Sequence, residues 1–308
     1  MIKKKISVVI PVYNAENTIK ELSKSVFNSL LENVEQLHLI LVNDGSTDNS
    51  GSICLDLASN NENITYIELA KNFGEHPAIL AGLHYVDGDY VVLMDDDFQN
   101  PPEEIIKLIN EIHSKDYDVV YSKFLKKEHH YLRNIGSRFI NYVAFKVFEK
   151  PKDLYLSSFK ILNRFAVSEC IKYKGPFPYL DGIIFNITRN VGSVLVEHRP
   201  RLKGESGYTF PKLVSLWSNL YINHSIFPMR LISIIGLFIF ISSAIFLIWV
   251  IIEKLINPDL PAGWSSVIGL ILLFSGMQFL FIGLIGEYLG RLFLTNNNKP
   301  QFIVRKKI

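Results

Sequence analysis

The chain predicts an α/β fold: a mostly parallel, Rossmann-like sheet over residues 1–209, followed by two membrane-spanning helices. Three observations predict it. Short β-branched runs alternate with amphipathic helical segments through the first part of the chain, the pattern of βαβ units. Polar clusters fall where the strand-like runs end, at Tyr13-Asn14, Asn43-Asp44 and Asp95-Asp96-Asp97, and open α/β sheets bind ligands at the carboxyl ends of their strands. Two long uncharged apolar runs, residues 231–252 and 264–286, come later.

The elements follow in order. ISVVIPV reads as a buried first strand; its short apolar run, broken by Pro11, is unlike a signal peptide. In TIKELSKSVFNSLL, Ile19, Leu22, Val26 and Leu30 share one helical face. LHLILVN is the second strand, and Asp48 in the turn after it suits the start of the next helix. ITYIEL is the third strand, and HPAILAGLHYV a short helix with Pro77 near its start. YVVLM is the fourth strand, Pro101 opens a helix with Ile105, Ile109 and Ile112 in register, and YDVVYS is the fifth strand.

Each of the later apolar runs is long enough to cross roughly 30 Å of hydrocarbon at about 1.5 Å per residue. Basic residues flank them at Arg230 and at Arg291, Lys299, Arg305, Lys306 and Lys307, while the loop between holds one lysine and two acids. That bias puts both ends in the cytoplasm. The expected organisation is a domain over 1–209, an interfacial amphipathic helix over 210–229, two transmembrane helices within 230–290 and a basic cytoplasmic tail over 291–308. The expected location is the inner membrane. With 32 basic and 30 acidic residues, the charge balance gives no signal for nucleic acid. Cys54 and Cys170 lie far apart without metal-ligand spacing, as free thiols do.

The acidic run suits a hard divalent cation, Mg2+ or Mn2+, which prefers oxygen ligands and often binds substrate phosphates too. Alternate residues of an extended stretch point the same way, so Asp95 and Asp97 converge and Asp96 points elsewhere, toward a sugar or ribose hydroxyl. The competing reading, that Asp97 or Asn100 caps the helix after Pro101, accounts for one acid and not three. His76 beside Pro77 reads as a helix-start residue, and His129-His130 as a solvated loop pair.

Five pieces in order, SVVIPVYNAE, LVNDGSTD, KNFGEHPAILAGL, GDYVVLMDDDFQNPPEEI and RPRLKGESGYT, resemble family 2 glycosyltransferases of the GT-A fold. The similarity is greatest to the polyprenyl-phosphate subgroup, relatives of dolichyl-phosphate mannose synthase and bactoprenol glucosyltransferases. The resemblance implies a nucleotide side formed by Pro11, Tyr13, Asn14, Glu16, Asp44, Asp95, Asp96 and Lys123. It implies a metal held by Asp95, Asp97 and Gln99. Arg133, Arg138, Arg199, Arg201, Ser206 and Tyr208 fall on the acceptor-phosphate side, with Asp97, Arg133 and Arg201 nearest the chemistry.

The chain departs from the family at Ala15-Glu16 and Asn43-Asp44, where two acids are usual. Ser158 stands where many relatives carry an aspartate proposed as a base, and Lys160 replaces a usual arginine. The implied reaction is inverting, metal-dependent transfer of one sugar from a nucleotide diphosphate sugar, UDP by default, to undecaprenyl or a similar polyprenyl phosphate at the membrane. The rivals are a polysaccharide-extending enzyme, whose Gln-x-x-Arg-Trp motif is missing here, and a catalytically impaired membrane scaffold, which the Ser158 departure motivates. The sequence leaves a homo-oligomer open.

Overall fold

The N-terminal run forms β1 (Ile2–Val12), an inner strand of an eight-stranded sheet in the computed structural model. The structure describes residues 2–124, 154–175, 178–199, 245, 252, 256, 263–296 and 300–308. The expected alternation follows: α1 (Ile19–Leu30), β2 (Val34–Asn43), α2 (Ser50–Ser59), β3 (Ile64–Leu69), α3 (Glu75–Leu83) and β4 (Tyr90–Leu93). A 3-10 turn at Pro102–Glu104 then leads into α4 (Ile105–Lys115) and β5 (Val119–Phe124). Strands β1, β2, β3 and β4 pair in parallel, in the order β4-β1-β2-β3. This is the α/β, GT-A-like part of the expected fold.

Helical periodicity explains the packing. The face of α1 carrying Ile19, Leu22, Val26 and Leu30 is buried, as is the Ile105, Leu108, Ile109 and Ile112 face of α4. Both join Val8, Ile10, Leu39 and Leu41 of the parallel strands in one core. Cys54 and Cys170 are buried free thiols, and burial pushes both up to about 12, away from thiolate chemistry.

Three further strands are not announced by the sequence. β6 (Lys160–Asn163) inserts antiparallel between β4 and β5, followed by α5 (Arg164–Cys170) and α6 (Leu180–Ile187). β7 (Val191–Val196) runs parallel to β5 at one edge of the sheet. At the other edge, β8 (Val304–Lys307) pairs antiparallel with β3. So the chain divides into one unit of Met1–Trp217 with Asn298–Ile308, and a second of Ser218–Asn297. The last residues, read from the sequence as a tail, include a strand of the sheet.

The second unit contains α7 (Trp264–Asn296). Here the expected fold class and location need correction. A crossing helix needs about 20 consecutive apolar residues, and among the described residues no helix is long and apolar enough to cross a membrane. The two-helix transmembrane hairpin and the multi-pass inner-membrane location drawn from the apolar runs are therefore overturned. Most of the first run, over 231–252, lies outside the described residues, as does the amphipathic segment over 210–229.

Candidate active site

The loops after β1, β2 and β4 meet at the carboxyl ends of the parallel strands. Register brings them there: Val12 pairs with Asn43 and Val9 with Leu93. The first two loops are laced together. Asn14 N–H donates to Ser46 Oγ at 3.1 Å, while Asn14 Oδ1 accepts from the Thr47 N–H at 2.8 Å. Glu16 accepts from the Asn49 backbone at 3.0 Å and its side chain at 2.9 Å. Asp48 accepts from Glu16 N–H at 3.2 Å and Ser50 N–H at 3.0 Å, so it ties the loops together, while the N-cap position of α2 falls to Asn49. Asn14 adopts φ 55, a left-handed conformation that asparagine tolerates better than most residues.

Asp44 is buried, and its two oxygens accept the N–H groups of Phe73 at 2.7 Å and Gly74 at 2.8 Å. Burial raises its carboxyl above the usual range, and those two hydrogen bonds oppose the shift. Within the chain, Asp44 therefore pins the loop that starts α3. Gly45 lies in the same turn at φ 67, where a Cβ would meet the Asn72 backbone nitrogen at 2.6 Å. Only glycine fits that approach.

The acidic run is held by three separate contacts. Beyond Leu93↔Lys160, the antiparallel register of β4 and β6 brings Asp95 opposite Ser158. The Ser158 hydroxyl donates to Asp95 Oδ2 at 2.5 Å. Asp96 Oδ2 accepts the Tyr13 N–H at 3.1 Å, which fastens the β1 loop to the β4 loop. Asp97 Oδ1 accepts the Gln99 N–H at 3.0 Å, closing a local turn through Phe98 at φ 59. The Gln99 carbonyl then accepts the Arg199 N–H at 2.9 Å.

Asp97 thus shapes a turn rather than capping the helix that follows. Burial pushes Asp95 up to about 7, with the charges of Glu75 and Asp97 adding to it and the Ser158 hydroxyl opposing. Burial pushes Asp96 up to about 7 as well, opposed by the Tyr13 N–H and reinforced by Asp95 and Asp97. These are carboxylates whose repulsion a cation would relieve.

A second polar cluster adjoins the first. Lys160 pairs with Asp181, their side chains 3 % and 8 % exposed, and the Tyr121 hydroxyl donates to the same carboxylate at 3.0 Å. Antiparallel register again explains it, since Lys160 lies opposite Tyr121 on β5. Glu75, at the start of α3, is raised by burial and by Asp181, Asp96 and Asp97, with Lys160 opposing. The ring of His76 meets Tyr179 edge-on at 5.0 Å. Burial pulls His76 down to about 4 and keeps the imidazole neutral near pH 7.

The expected site residues thus divide. Tyr13, Asn14, Glu16, Asp44, Asp95, Asp96, Asp97, Gln99 and Arg199 belong to this linked set of loops. Pro11 lies just before them on β1, paired with Val42. Lys123 is exposed on β5, opposite Leu195 of β7. Arg133, Arg138, Arg201, Ser206 and Tyr208 lie outside the described residues, as does His129-His130.

Sequence reading missed the roles of Glu75, Ser158 and Lys160-Asp181. The signal for Glu75 was its position in GEHP, at the first turn of the helix that follows the β3 loop. The others depend on β6, whose four residues carry no period of their own.

The donor chemistry fits a hard divalent cation. Among the described residues, no group of three or more His, Cys, Asp or Glu side chains could hold a metal ion. Mg2+ characteristically uses one or two protein carboxylates and takes its remaining ligands from water and substrate phosphates. Asp95 and Asp97 match that smaller set.

Residues 7–171 match the family described as Glycosyl transferase family 2. The chain is 31% identical over 307 residues to undecaprenyl-phosphate 4-deoxy-4-formamido-L-arabinose transferase of Proteus mirabilis, covering 99% of this chain and 94% of the relative. The protein of that name from Photorhabdus laumondii is 31% identical over 308 residues, with the same coverage. Among solved structures, Mycobacterium tuberculosis glucosyl-3-phosphoglycerate synthase aligns with TM-score 0.51 and 18% identity, over 71% of this chain and 78% of that one. Mannosyl-3-phosphoglycerate synthase from Rubrobacter xylanophilus aligns with TM-score 0.53 and 14% identity, over 70% and 71%. At these identities the solved structures support the fold alone.

Proposed function

This chain belongs to glycosyl transferase family 2, and from that premise we propose that it transfers one sugar from a nucleotide diphosphate sugar to undecaprenyl phosphate or a similar polyprenyl phosphate. The chain is a glycosyltransferase; the acceptor, the metal requirement and the inverting course belong to the proposal. The observation that carries it is the acidic loop at the strand ends, with Asp95 held by Ser158 and Asp96 held by Tyr13. Relatives named for an undecaprenyl-phosphate transferase, matched over nearly their whole length, support the acceptor.

The reaction is a single displacement. An oxygen of the acceptor phosphate forms a bond to the anomeric carbon as the bond from that carbon to the diphosphate oxygen breaks. The electron pair leaves with the nucleoside diphosphate, and the anomeric configuration inverts. A divalent cation held by Asp95, Asp97 and Gln99 would supply charge neutralisation on that leaving group. Ser158 orients the Asp95 carboxylate by donating to Oδ2. The Tyr13–Asp96 hydrogen bond keeps the nucleotide-side loop against the acidic loop.

Ser158 has no carboxylate to act as a base, and this acceptor does not need one. The second ionisation of a phosphate monoester lies near pH 6, so its attacking oxygen is largely deprotonated at neutral pH. Positioning and charge stabilisation then account for catalysis. The test is incubation of the purified protein with undecaprenyl phosphate and a panel of nucleotide sugars, with the lipid product read by mass spectrometry. One donor should add the mass of a single sugar. Absence of transfer from every donor, or a lengthening series of products, would overturn the reading.

A further inference from the structure

The end of the chain touches two segments that lead into the site. Gln301 lies 128 and 126 residues from Tyr173 and Gly175, yet its Nε2 donates to both of their carbonyls, at 2.9 and 2.7 Å. A side-chain amide nitrogen carries two hydrogens, so this one is fully used, and two acceptors settle which way the amide points. Phe302, the next residue, sets its ring 5.7 Å from that of His84, the C-cap of α3. The Ile303 carbonyl then accepts the Ala70 N–H at 2.8 Å. Sheet pairing does not require the first two contacts: β8 pairs with β3 only from Val304 onward.

The two braced segments converge elsewhere. The stretch that Gln301 holds joins α5 to α6 and leads to Tyr179 and Asp181. The helix that ends at His84 begins with Glu75 and His76. They meet where the Tyr179 ring stands edge-on to that of His76, with centroids 5.0 Å apart. Asp181, in the first turn of α6, pairs with Lys160 and accepts from the Tyr121 hydroxyl. Lys160 lies opposite Leu93, where β4 ends and the acidic loop departs, and Ser158 of the same run holds Asp95. All of these residues belong to the first unit.

We propose that Gln301 is a positioning residue for sugar transfer: by bridging the Tyr173 and Gly175 carbonyls it fixes the segment that seats Tyr179 against His76 and Asp181 against Lys160. This rests on the glycosyl-transfer reading above and adds to it a residue remote from the reacting atoms. Remote contacts matter to rate because a misplacement of about 1 Å, caused far from the chemistry, can cost on the order of 100-fold. The bridge depends on donors. A side chain of the same shape with only acceptors would face two carbonyl oxygens and push the segment away.

The test compares the full-length protein with Gln301→Ala, Gln301→Glu and Gln301→Lys. Ionised glutamate keeps the shape and only accepts, whereas lysine brings three donors. Turnover to undecaprenyl phosphate is measured with the nucleotide sugar that the wild-type protein transfers, well below the melting temperature of every variant. Binding of the matching nucleoside diphosphate is measured by calorimetry with Mn2+. The kcat of Gln301→Ala should fall about 10-fold, that of Gln301→Glu further, and that of Gln301→Lys should recover. Nucleoside diphosphate binding should be unchanged, because Gln301 holds none of the loops after β1, β2 and β4. In NMR spectra of histidine-labelled protein, the His76 ring resonances should shift in Gln301→Ala and Gln301→Glu and return in Gln301→Lys.

Wild-type kcat in Gln301→Ala and Gln301→Glu overturns the inference. So does a loss of turnover with unmoved His76 resonances, or one that Gln301→Lys leaves in place. If Gln301→Glu does not fold, Gln301→Ala decides by the same criteria. If the wild-type protein transfers no sugar at all, it is the glycosyl-transfer reading that fails, and the His76 resonances still test the bridge.

Discussion

The Ser158 hydroxyl donates to Asp95 Oδ2 at 2.5 Å, joining the residue that departs from the family pattern to the carboxylate expected to hold a metal. The β4–β6 register makes the two residues opposite one another. Ser158 thus acts on the acidic loop without being a base. Removing the hydroxyl should loosen Asp95 and leave the fold intact. Groups that orient a metal ligand typically contribute about 10- to 100-fold in metal affinity. Ser158→Ala should therefore raise the Mn2+ concentration for half-maximal transfer by roughly that factor. An unchanged metal titration would show that Ser158 does not position Asp95.

Asp95 and Asp96 are both pushed up to about 7, so bound protons compete with a cation for this loop. Metal binding to carboxylates releases protons and strengthens as pH rises. Apparent Mn2+ affinity should increase from pH 6 to pH 8 and level off above. Calorimetry at several pH values in buffers of different ionisation heat reads both the affinity and the released protons. An affinity that is flat over that range contradicts this assignment.

The buried Lys160–Asp181 pair should matter more for stability than for binding. Breaking a buried pair by removing one partner leaves an uncompensated charge and typically costs about 3–5 kcal/mol. Lys160→Met should lower the urea unfolding midpoint accordingly. The double variant Lys160→Met/Asp181→Leu should recover most of the loss, because two apolar groups replace two charges. If the double variant is no more stable than the single, the pair is not the source of the cost.

His76 gives a pH dependence of definite sign. Its pKa in the folded chain, about 4, lies below the ordinary 6.5. The unfolded chain therefore takes up the proton first as pH falls. The stability that depends on neutral His76 is complete above pH 6.5 and is lost as pH drops through about 4. The full loss is on the order of 3–4 kcal/mol. Compared with His76→Gln, the wild-type protein should lose stability across this window in urea titrations at pH 7, 5.5 and 4. A difference between the two proteins that is constant with pH would contradict it.

The C-terminal strand should act as a cover for the sheet edge. β8 pairs with β3, Gln301 donates to the Tyr173 and Gly175 carbonyls at 2.9 and 2.7 Å, and Arg305 donates to the Ala70 carbonyl at 3.0 Å. Truncation before residue 300 should expose the β3 edge, lower the unfolding midpoint and promote self-association, as unpaired edges do. Sedimentation velocity at two concentrations checks it; a monodisperse truncated protein with an unchanged midpoint would refute it.

The parallel half of the fold was legible because β1 to β5 are long or strongly apolar and the helices between them show a clear period. β6 is four residues long, and its antiparallel insertion between β4 and β5 rests on pairing distant in sequence. β8 carries three basic residues in VRKK, a pattern shared by exposed edge strands and charged tails. The apolar runs misled in the opposite way: they gave length and hydrophobicity, yet among the described residues no helix meets the requirement for crossing a membrane. In the site, the acidic run was visible as a run. Ser158, Lys160 and Asp181 become its neighbours only through β6 and α6, and Glu75 only through the loop that Asp44 pins.

The most direct measurement compares undecaprenyl phosphate with undecaprenol as acceptors, using the same nucleotide sugar and the wild-type protein. The phosphate arrives ionised and needs no base; the alcohol does need one, and Ser158 cannot supply it. The account predicts a singly glycosylated lipid from the phosphate and, within assay sensitivity, none from the alcohol. Equal transfer to undecaprenol would contradict it, because a base would then have to exist where the account has none.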